Sequence, residues 1–273
     1  MTDTEIQNRP IGVFDSGVGG LTVVTEIMRQ LPGENIVYFG DVGRYPYGGR
    51  SKETIINFTR QDINFLLEHK VKFIIAACNS STAAALDTVQ KEYDIGMLGV
   101  ISPGAKAAVK HTRNKRVGII GTVATIGSNS YAKEIQERTP DVKVFSLACP
   151  LFVPLAEEGY TDKDATRLIA RDYLKTLIDV DIDTLVLGCT HYPILKKVIG
   201  EVMGSKVKLI DSAESTASEL AAVLSMKNLL RPGKGEVTHK YYVSDVPDRF
   251  QQVVRQFMGR SINNVTRVDI TRY

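Results

Sequence analysis

At 273 residues, with 43% apolar and 24% charged side chains, the chain has the balance of a globular protein and a length that predicts about two domains. Its net charge of +3 is too small to point to nucleic acid, and its longest apolar run, Phe73 to Cys78, is far short of the about 20 residues of a membrane helix. Met1 to Pro10 has no apolar h-region, so no secretion signal is expected, and cysteines 78, 149 and 189 share no C-x-x-C spacing, which excludes a sequence-readable zinc site or disulfide framework and suits a reducing, cytoplasmic setting.

Taken in chain order, short apolar runs ending in Gly, Ser, Asp or Cys alternate with segments of helical period. Ile11 to Phe14 reads as a strand that leads into Asp15-Ser-Gly-Val-Gly-Gly20 and then a helix from Leu21 to Gln30. Ile36 to Phe39 is a strand ending at Gly40-Asp41. Ser51 to Lys70 reads as an amphipathic helix capped by Ser51, with Ile56, Ile63, Leu66 and Leu67 on one face. Val71 to Ala77 predicts a strand, and Ser81 to Tyr93 a helix. This alternation implies right-handed βαβ units, parallel sheets, and functional residues at the carboxyl ends of the strands.

The second half echoes the first. Ile11-Gly-Val-Phe-Asp-Ser16 has a counterpart in Val117-Gly-Ile-Ile-Gly-Thr122, and Ile74-Ile-Ala-Ala-Cys-Asn79 has one in Leu185-Val-Leu-Gly-Cys-Thr190, in the same order and at nearly the same offset. The fold expected is α/β, with two similar domains that are each a mainly parallel sheet flanked by helices. The chain is expected to cross near Gly99 to Gly104 and to return near Asp211-Ser212. The first domain is then 1–99 plus 211–273, and the second 100–210.

Cys78 and Cys189 each stand where a strand hands over to a helix, between a small residue and a polar one. The unpaired N–H groups of a helix start favour thiolate there and should lower the thiol pKa from about 8.5. Matching cysteines facing each other across a cleft suit a two-base reaction. One thiolate removes a proton from carbon, the opposite thiol returns one to the other face, and a stereocentre inverts without a cofactor. A hydrolase would leave the second cysteine idle. Cys149, between Ala148 and Pro150, reads as a small buried hydrophobe.

Among supporting residues, Asp15 to Gly20 could cradle an anion with its backbone N–H groups. It fits a dinucleotide fingerprint poorly, because Thr22 stands where the third Gly or Ala belongs. Arg44-Tyr-Pro-Tyr-Gly-Gly-Arg50 is a turn in which Gly48 can offer an N–H to a carboxylate, and Glu157 follows a rigid Pro150 to Pro154 approach. His111 to Arg116 reads as solvated loop, and His69 and His239 as structural or exposed. Two readings from other classes stand beside the two-base reaction: a nucleotide-binding regulator using the glycine-rich turn, and a binding protein for acidic amino acids with no chemistry.

From Pro10 to about Tyr242 the sequence resembles the glutamate racemase family, cofactor-independent enzymes supplying D-glutamate for peptidoglycan. The resemblance rests on Gly12-Val-Phe-Asp-Ser-Gly-Val-Gly-Gly-Leu-Thr22, Pro46-Tyr-Gly48, Ala77-Cys-Asn79, Cys149-Pro-Leu-Phe-Val-Pro154 and Leu187-Gly-Cys-Thr-His-Tyr-Pro193. It implies Cys78 and Cys189 as the acid–base pair, assisted by Asp15, Glu157 and His191. It also implies substrate contacts at Asp15, Ser16, Tyr47, Gly48, Asn79, Ser80, Thr190 and His191. Two domains about a pseudo-twofold axis with the site between them, no cofactor or metal, glutamate as the small-molecule partner and a homodimer are further implications. Neither nucleic acid nor membrane is an expected partner. Asn79-Ser-Ser-Thr82 departs from the family's usual Asn-Thr-Ala-Thr, and Gly49 from a frequent proline. Some members carry an N-terminal extension that binds a cell-wall precursor as activator. With about ten residues before the first strand, such regulation is not expected here.

Overall fold

Ten strands build two parallel sheets in a computed structural model that describes residues 2–233, 235–246 and 250–273. They are β1 (Ile11–Asp15), β2 (Ile36–Gly40), β3 (Phe73–Ala76), β4 (Met97–Gly99), β5 (Arg116–Gly121), β6 (Lys143–Ala148), β7 (Thr184–Gly188), β8 (Lys208–Asp211), β9 (His239–Val243) and β10 (Val265–Arg267). The first sheet has the order β10-β9-β2-β1-β3-β4 and the second β6-β5-β7-β8. The four strands from β2 to β4 therefore repeat the order of the whole second sheet.

Register makes the repeat residue-specific. Phe14 of β1 lies beside Ala76 of β3, and Ile120 of β5 beside Leu187 of β7. One residue further along, Asp15 corresponds to Gly121 and Ser16 to Thr122. Cys78 corresponds in the same way to Cys189. Both sulfurs thus emerge at the carboxyl edge of their sheets, where parallel α/β folds hold their ligands.

Each central strand is buried on both faces, which explains its unbroken apolar sequence. Along β1, Ile11 and Val13 meet helices Leu21–Gln30 and Ser212–Met226, while Phe14 turns to Ile55, Ile63 and Leu66 of helix Lys52–Glu68. In the second sheet Leu185 and Leu187 meet Leu174 and Ile199, and Ile119 and Val186 meet Ala105, Tyr131 and Ile135. The chain passes between sheets twice. After β4, helix Ile101–His111 packs on β7 and β8; after β8, helix Ser212–Met226 packs on Leu21–Gln30, and β9 and β10 complete the first sheet. No helix among the described residues is long and apolar enough to cross a membrane.

Two local expectations need correction. Ser51 caps helix Lys52–Glu68 through Thr54 N–H at 3.3 Å, as its side chain predicts. Ile63 and Leu66 are buried and Ile56 and Leu67 pack partly covered on the same core, but the fully buried set also includes Ile55, Thr59, Asp62 and Phe65. A carboxylate and a hydroxyl inside that set disguise it from any count of apolar residues. The helix expected from Ser81 begins instead at Asn79 and widens into a π turn at Thr82–Leu86. Cys78 itself is the N-cap, its sulfur accepting from Ser81 N–H at 3.5 Å, so the helix starts immediately after the cysteine.

Candidate active site

A cavity of about 500 Å³ opens between the carboxyl edges of the two sheets. Ser16, Cys78, Asn79 and Ser80 line it from one domain and Cys189, Thr190, His191 and Glu157 from the other, with Tyr47 and Gly48 on a connecting loop. Most of the expected site is therefore brought to one place. Asp15 is the exception: it ends β1 just behind Ser16, buried, and is not part of the cavity wall.

Asp15 corrects the anion-cradle expectation. Its Oδ2 accepts from Gly17 N–H at 3.1 Å and Gly20 N–H at 3.0 Å, so these donors serve the protein's own carboxylate. The glycines serve a different need. A side chain at Gly19 would overlap Thr190 Oγ1 and stand 2.7 Å from the His191 ring. Gly19 thus lets the second domain press against the turn, whereas side chains at Gly17 and Gly20 would meet Tyr45 and Asp15 of the first. Burial raises the Asp15 pKa above its usual range, against the lowering effect of His191 and the loop N–H groups.

The two cysteines, both free, have unlike surroundings. Cys78 Sγ donates to Ser16 Oγ at 3.4 Å. Burial, and then the neighbouring Asp15 charge, push its thiol up to about 11, overcoming the Ser16 and Ser81 hydrogen bonds. This reverses the lowering expected from a helix start, because burial and the Asp15 charge outweigh the Ser81 N–H that the helix start supplies. After Cys189 no α-helix begins at once: the chain bends into a single 3₁₀ turn, Tyr192–Leu195, before helix Lys196–Met203. The partner of Cys189 is a side chain instead, His191 Nδ1 at 3.9 Å, whose Nε2 lies 2.9 Å from Glu157 Oε1. Burial opposes a charge on His191, but Cys189 and Glu157 together outweigh it and raise the pKa to about 10. The imidazolium is thus the form held beside Cys189 across the neutral range.

Tyr47 reaches the site differently from expectation. Its ring is fully buried, packed on Phe58, with the hydroxyl bonded to Asp41 and to Asp62 at 3.1 Å. Arg44 joins the same cluster through Asp41 at 2.6 Å and Asp62 at 3.2 Å. The loop is pinned at 44 and 47, and between these anchors Tyr45 stacks on His191, ring centres 5.9 Å apart. Ser80 Oγ meets Thr122 Oγ1 across the interface at 3.2 Å. Asn79 Oδ1 accepts from Tyr131 Oη at 2.8 Å. Cys149 is buried away from the cavity, its thiol pushed up to about 12 by burial.

Tyr45, Thr122 and Val153 line the cavity but were missed by sequence reasoning. Thr122 was within reach, because the internal echo sets it opposite Ser16. Tyr45 sits in the Arg44 to Arg50 turn, but nothing in that turn reveals the histidine it meets. Among the described residues no group of three or more His, Cys, Asp or Glu could hold a metal ion.

Comparison with known proteins agrees with this geometry. The profile of the Asp/Glu/hydantoin racemase family matches residues 25–220. The glutamate racemase of Geobacter metallireducens is 50% identical over 96% of this chain and 97% of that protein. The crystal structure of Francisella tularensis glutamate racemase in complex with D-glutamate superposes with a TM-score of 0.92 at 41% identity, covering 98% of this chain and 100% of that one. The Thermus thermophilus enzyme in complex with β-chloro-D-alanine gives 0.88 at 41% identity, covering 98% and 99%. With two matching parallel sheets, a cysteine at the same edge of each, and relatives alike over nearly their whole length, this chain belongs to the Asp/Glu/hydantoin racemase family and is an amino-acid racemase.

Proposed function

We propose that the protein interconverts L- and D-glutamate by proton transfer at the α-carbon, without a cofactor, using Cys78 and Cys189 as the two acid–base groups. The observation that carries this reading is that cysteines from corresponding strand ends of the two domains line one cavity. In the L-to-D direction Cys189, as thiolate, takes the α-proton and becomes a thiol. The electron pair stays on the α-carbon, and Cys78 gives its proton to the opposite face and becomes the thiolate. The reverse direction exchanges the roles. His191, held charged by Glu157, is a counter-charge beside Cys189, and burial with Asp15 keeps Cys78 protonated.

Ser16, Asn79, Ser80, Thr190 and the main chain at Tyr47 and Gly48 supply small polar groups around the ligand, and a dry cavity with fixed donors stabilises the carbanion that develops. Family resemblance supports D-glutamate supply to peptidoglycan as the biological role and a homodimer as the assembly. The three free cysteines suit a cytoplasmic enzyme.

The test is circular dichroism of L-glutamate incubated with purified protein and a chelator, without pyridoxal phosphate. The reading predicts decay of the optical signal to zero. An unchanged signal from folded protein overturns it, and parallel incubations with L-aspartate and a hydantoin show whether another substrate of the family is preferred.

A further inference from the structure

The four-strand plan shared by the two sheets does not account for the whole first domain. Strands β9 and β10 extend the first sheet beyond β2, and among the described residues nothing extends the second beyond β6. Between them lies helix Phe250–Met258, whose buried positions Phe250, Val254 and Phe257 recur at helical spacing. All three belong to the first domain's core. Phe257, 5% exposed, also meets the second domain: its ring stands edge-to-face with His191, centres 5.1 Å apart and planes at 81°.

Its neighbour Gln256 reaches the partner of that histidine. In the orientation that gives both amide atoms partners, Nε2 donates to Ala156 O at 3.0 Å and to Glu157 O at 3.1 Å. These carbonyls belong to the last turn of helix Phe152–Glu157, whose acceptors look outside the helix for donors. The chain then turns through Gly159, at φ 73°, where an added Cβ would lie 2.7 Å from the Gln256 amide.

Two consecutive residues of one helix thus hold both members of the pair beside Cys189: Gln256 the main chain of Glu157, and Phe257 the ring of His191. That ring is otherwise bounded by Tyr45 stacked on it, by Gly19, and by Glu157 at Nε2. Without Phe257 the imidazole has room to turn off the line from Glu157 to Cys189. Cys78 lies in the core on the opposite face of the first sheet, away from this helix.

We propose that Phe257 and Gln256 are positioning residues for the Cys189 half-reaction: a helix outside the repeated plan fixes the His191–Glu157 pair against that sulfur and leaves Cys78 alone. The proposal rests on the reading of Cys189 and His191 as parts of the proton-transfer site. Neither Phe257 nor Gln256 lines the cavity, so both act through the pair.

The test reads the pair with and without turnover. In protein carrying 15N-histidine, the His191 Nε2 proton held by Glu157 should give a sharp downfield signal at neutral pH that Glu157→Ala removes. Phe257→Leu and Gln256→Ala should each broaden it by exchange with water. In racemisation, Phe257→Ala is expected to lower kcat/KM on the order of 10²-fold, the cost of a misplaced catalytic group, and Gln256→Ala about fivefold. Phe257→Leu replaces Phe257→Ala where the latter fails to fold. With substrate deuterated at the α-carbon, both variants should raise the isotope effect mainly from L-glutamate. In the His191→Asn background Phe257→Ala should add less than about twofold, because no imidazole remains to hold. Val254→Ala, on the same helix but packed in the first domain's core, should lower the thermal midpoint and leave the signal and the isotope effects unchanged. A signal as sharp as wild type in either variant, an unchanged kcat/KM, equal isotope-effect rises from both enantiomers, multiplied losses in the double variant, or the same signature in Val254→Ala overturns the proposal. A folded wild type that keeps the signal but does not racemise glutamate defeats the functional reading, while the signal still decides the role of Phe257 and Gln256.

Discussion

The two halves of the molecule share a backbone plan and differ at the positions that matter for proton transfer. At the end of β1 stands Asp15, where the matching position at the end of β5 is Gly121. Two residues beyond Cys78 stands Ser80, and two beyond Cys189 stands His191, paired with Glu157 at 2.9 Å. The first cysteine therefore has a carboxylate behind it and the second an imidazolium beside it. Symmetric backbones set two sulfurs at corresponding edges, and the side chains around them differ.

The largest effect should come from removing either sulfur. Cys78→Ala and Cys189→Ala are each expected to abolish racemisation, because one face of the α-carbon then lacks an acid or base. Normal turnover in either variant would falsify the two-base account.

Next come the unlike neighbours. His191→Asn and Asp15→Asn are each expected to lower kcat/KM on the order of 10²–10⁴-fold, the usual worth of positioned acid–base groups. The equilibrium constant between enantiomers is unity, so kcat/KM must fall equally in both directions. The halves are told apart by isotope effects. With substrate deuterated at the α-carbon, His191→Asn should raise the effect mainly from L-glutamate and Asp15→Asn mainly from D-glutamate. Equal rises from both enantiomers would erase the functional asymmetry. Asp15→Asn should also move the alkylation midpoint of Cys78 below about 11, because the Asp15 charge is one cause of its elevation.

A smaller effect separates Glu157 from His191. The histidine proton is retained up to about 10, so activity that depends on it is present below that pH and falls as pH rises through it. Removing the Glu157 charge takes away part of what raises that pKa. Glu157→Gln should therefore move the alkaline limb of kcat/KM to lower pH. The same linkage applies to stability. The contribution from charged His191 is complete below the ordinary histidine value of 6.5 and lost as pH rises through about 10, so the thermal midpoint of wild type should fall more across that window than that of His191→Asn.

Two glycines give the smallest changes and sharpen the contrast between interface and surface. Gly19→Ala pushes a methyl group into Thr190 and His191 and should cost about 1–3 kcal/mol of stability, read by denaturant unfolding. Gly49 has open space around it, so Gly49→Ala should leave activity and stability unchanged despite the departure from the family's frequent proline. A large loss there would show that this loop works through its backbone freedom.

Much of the site is legible in the chain's own residues. Strand ends reading Ala77-Cys-Asn79 and Gly188-Cys-Thr190 mark the sulfurs, because a parallel strand is an apolar run and its ligand-facing end is where polarity resumes. The echo between halves carries the pseudosymmetry, and it also points at Thr122. The buried role of Asp62 is not legible, since a carboxylate on a helix reads as solvated until Tyr47 and Arg44 are seen to meet it. Nor is the pKa of Cys78, because burial outweighs the local helix start.

The α/β alternation, the repeated strand order and the identity of the paired cysteines are dictated by the order of the amino acids, because each is written in local periodicity or in similarity between segments. What faces what is set by the folded packing: Tyr131 against Asn79, Tyr45 against His191, and Gly19 against Thr190. Those contacts depend on how two separately patterned sheets dock, and docking is governed by shape and charge across an interface whose two sides lie far apart along the chain.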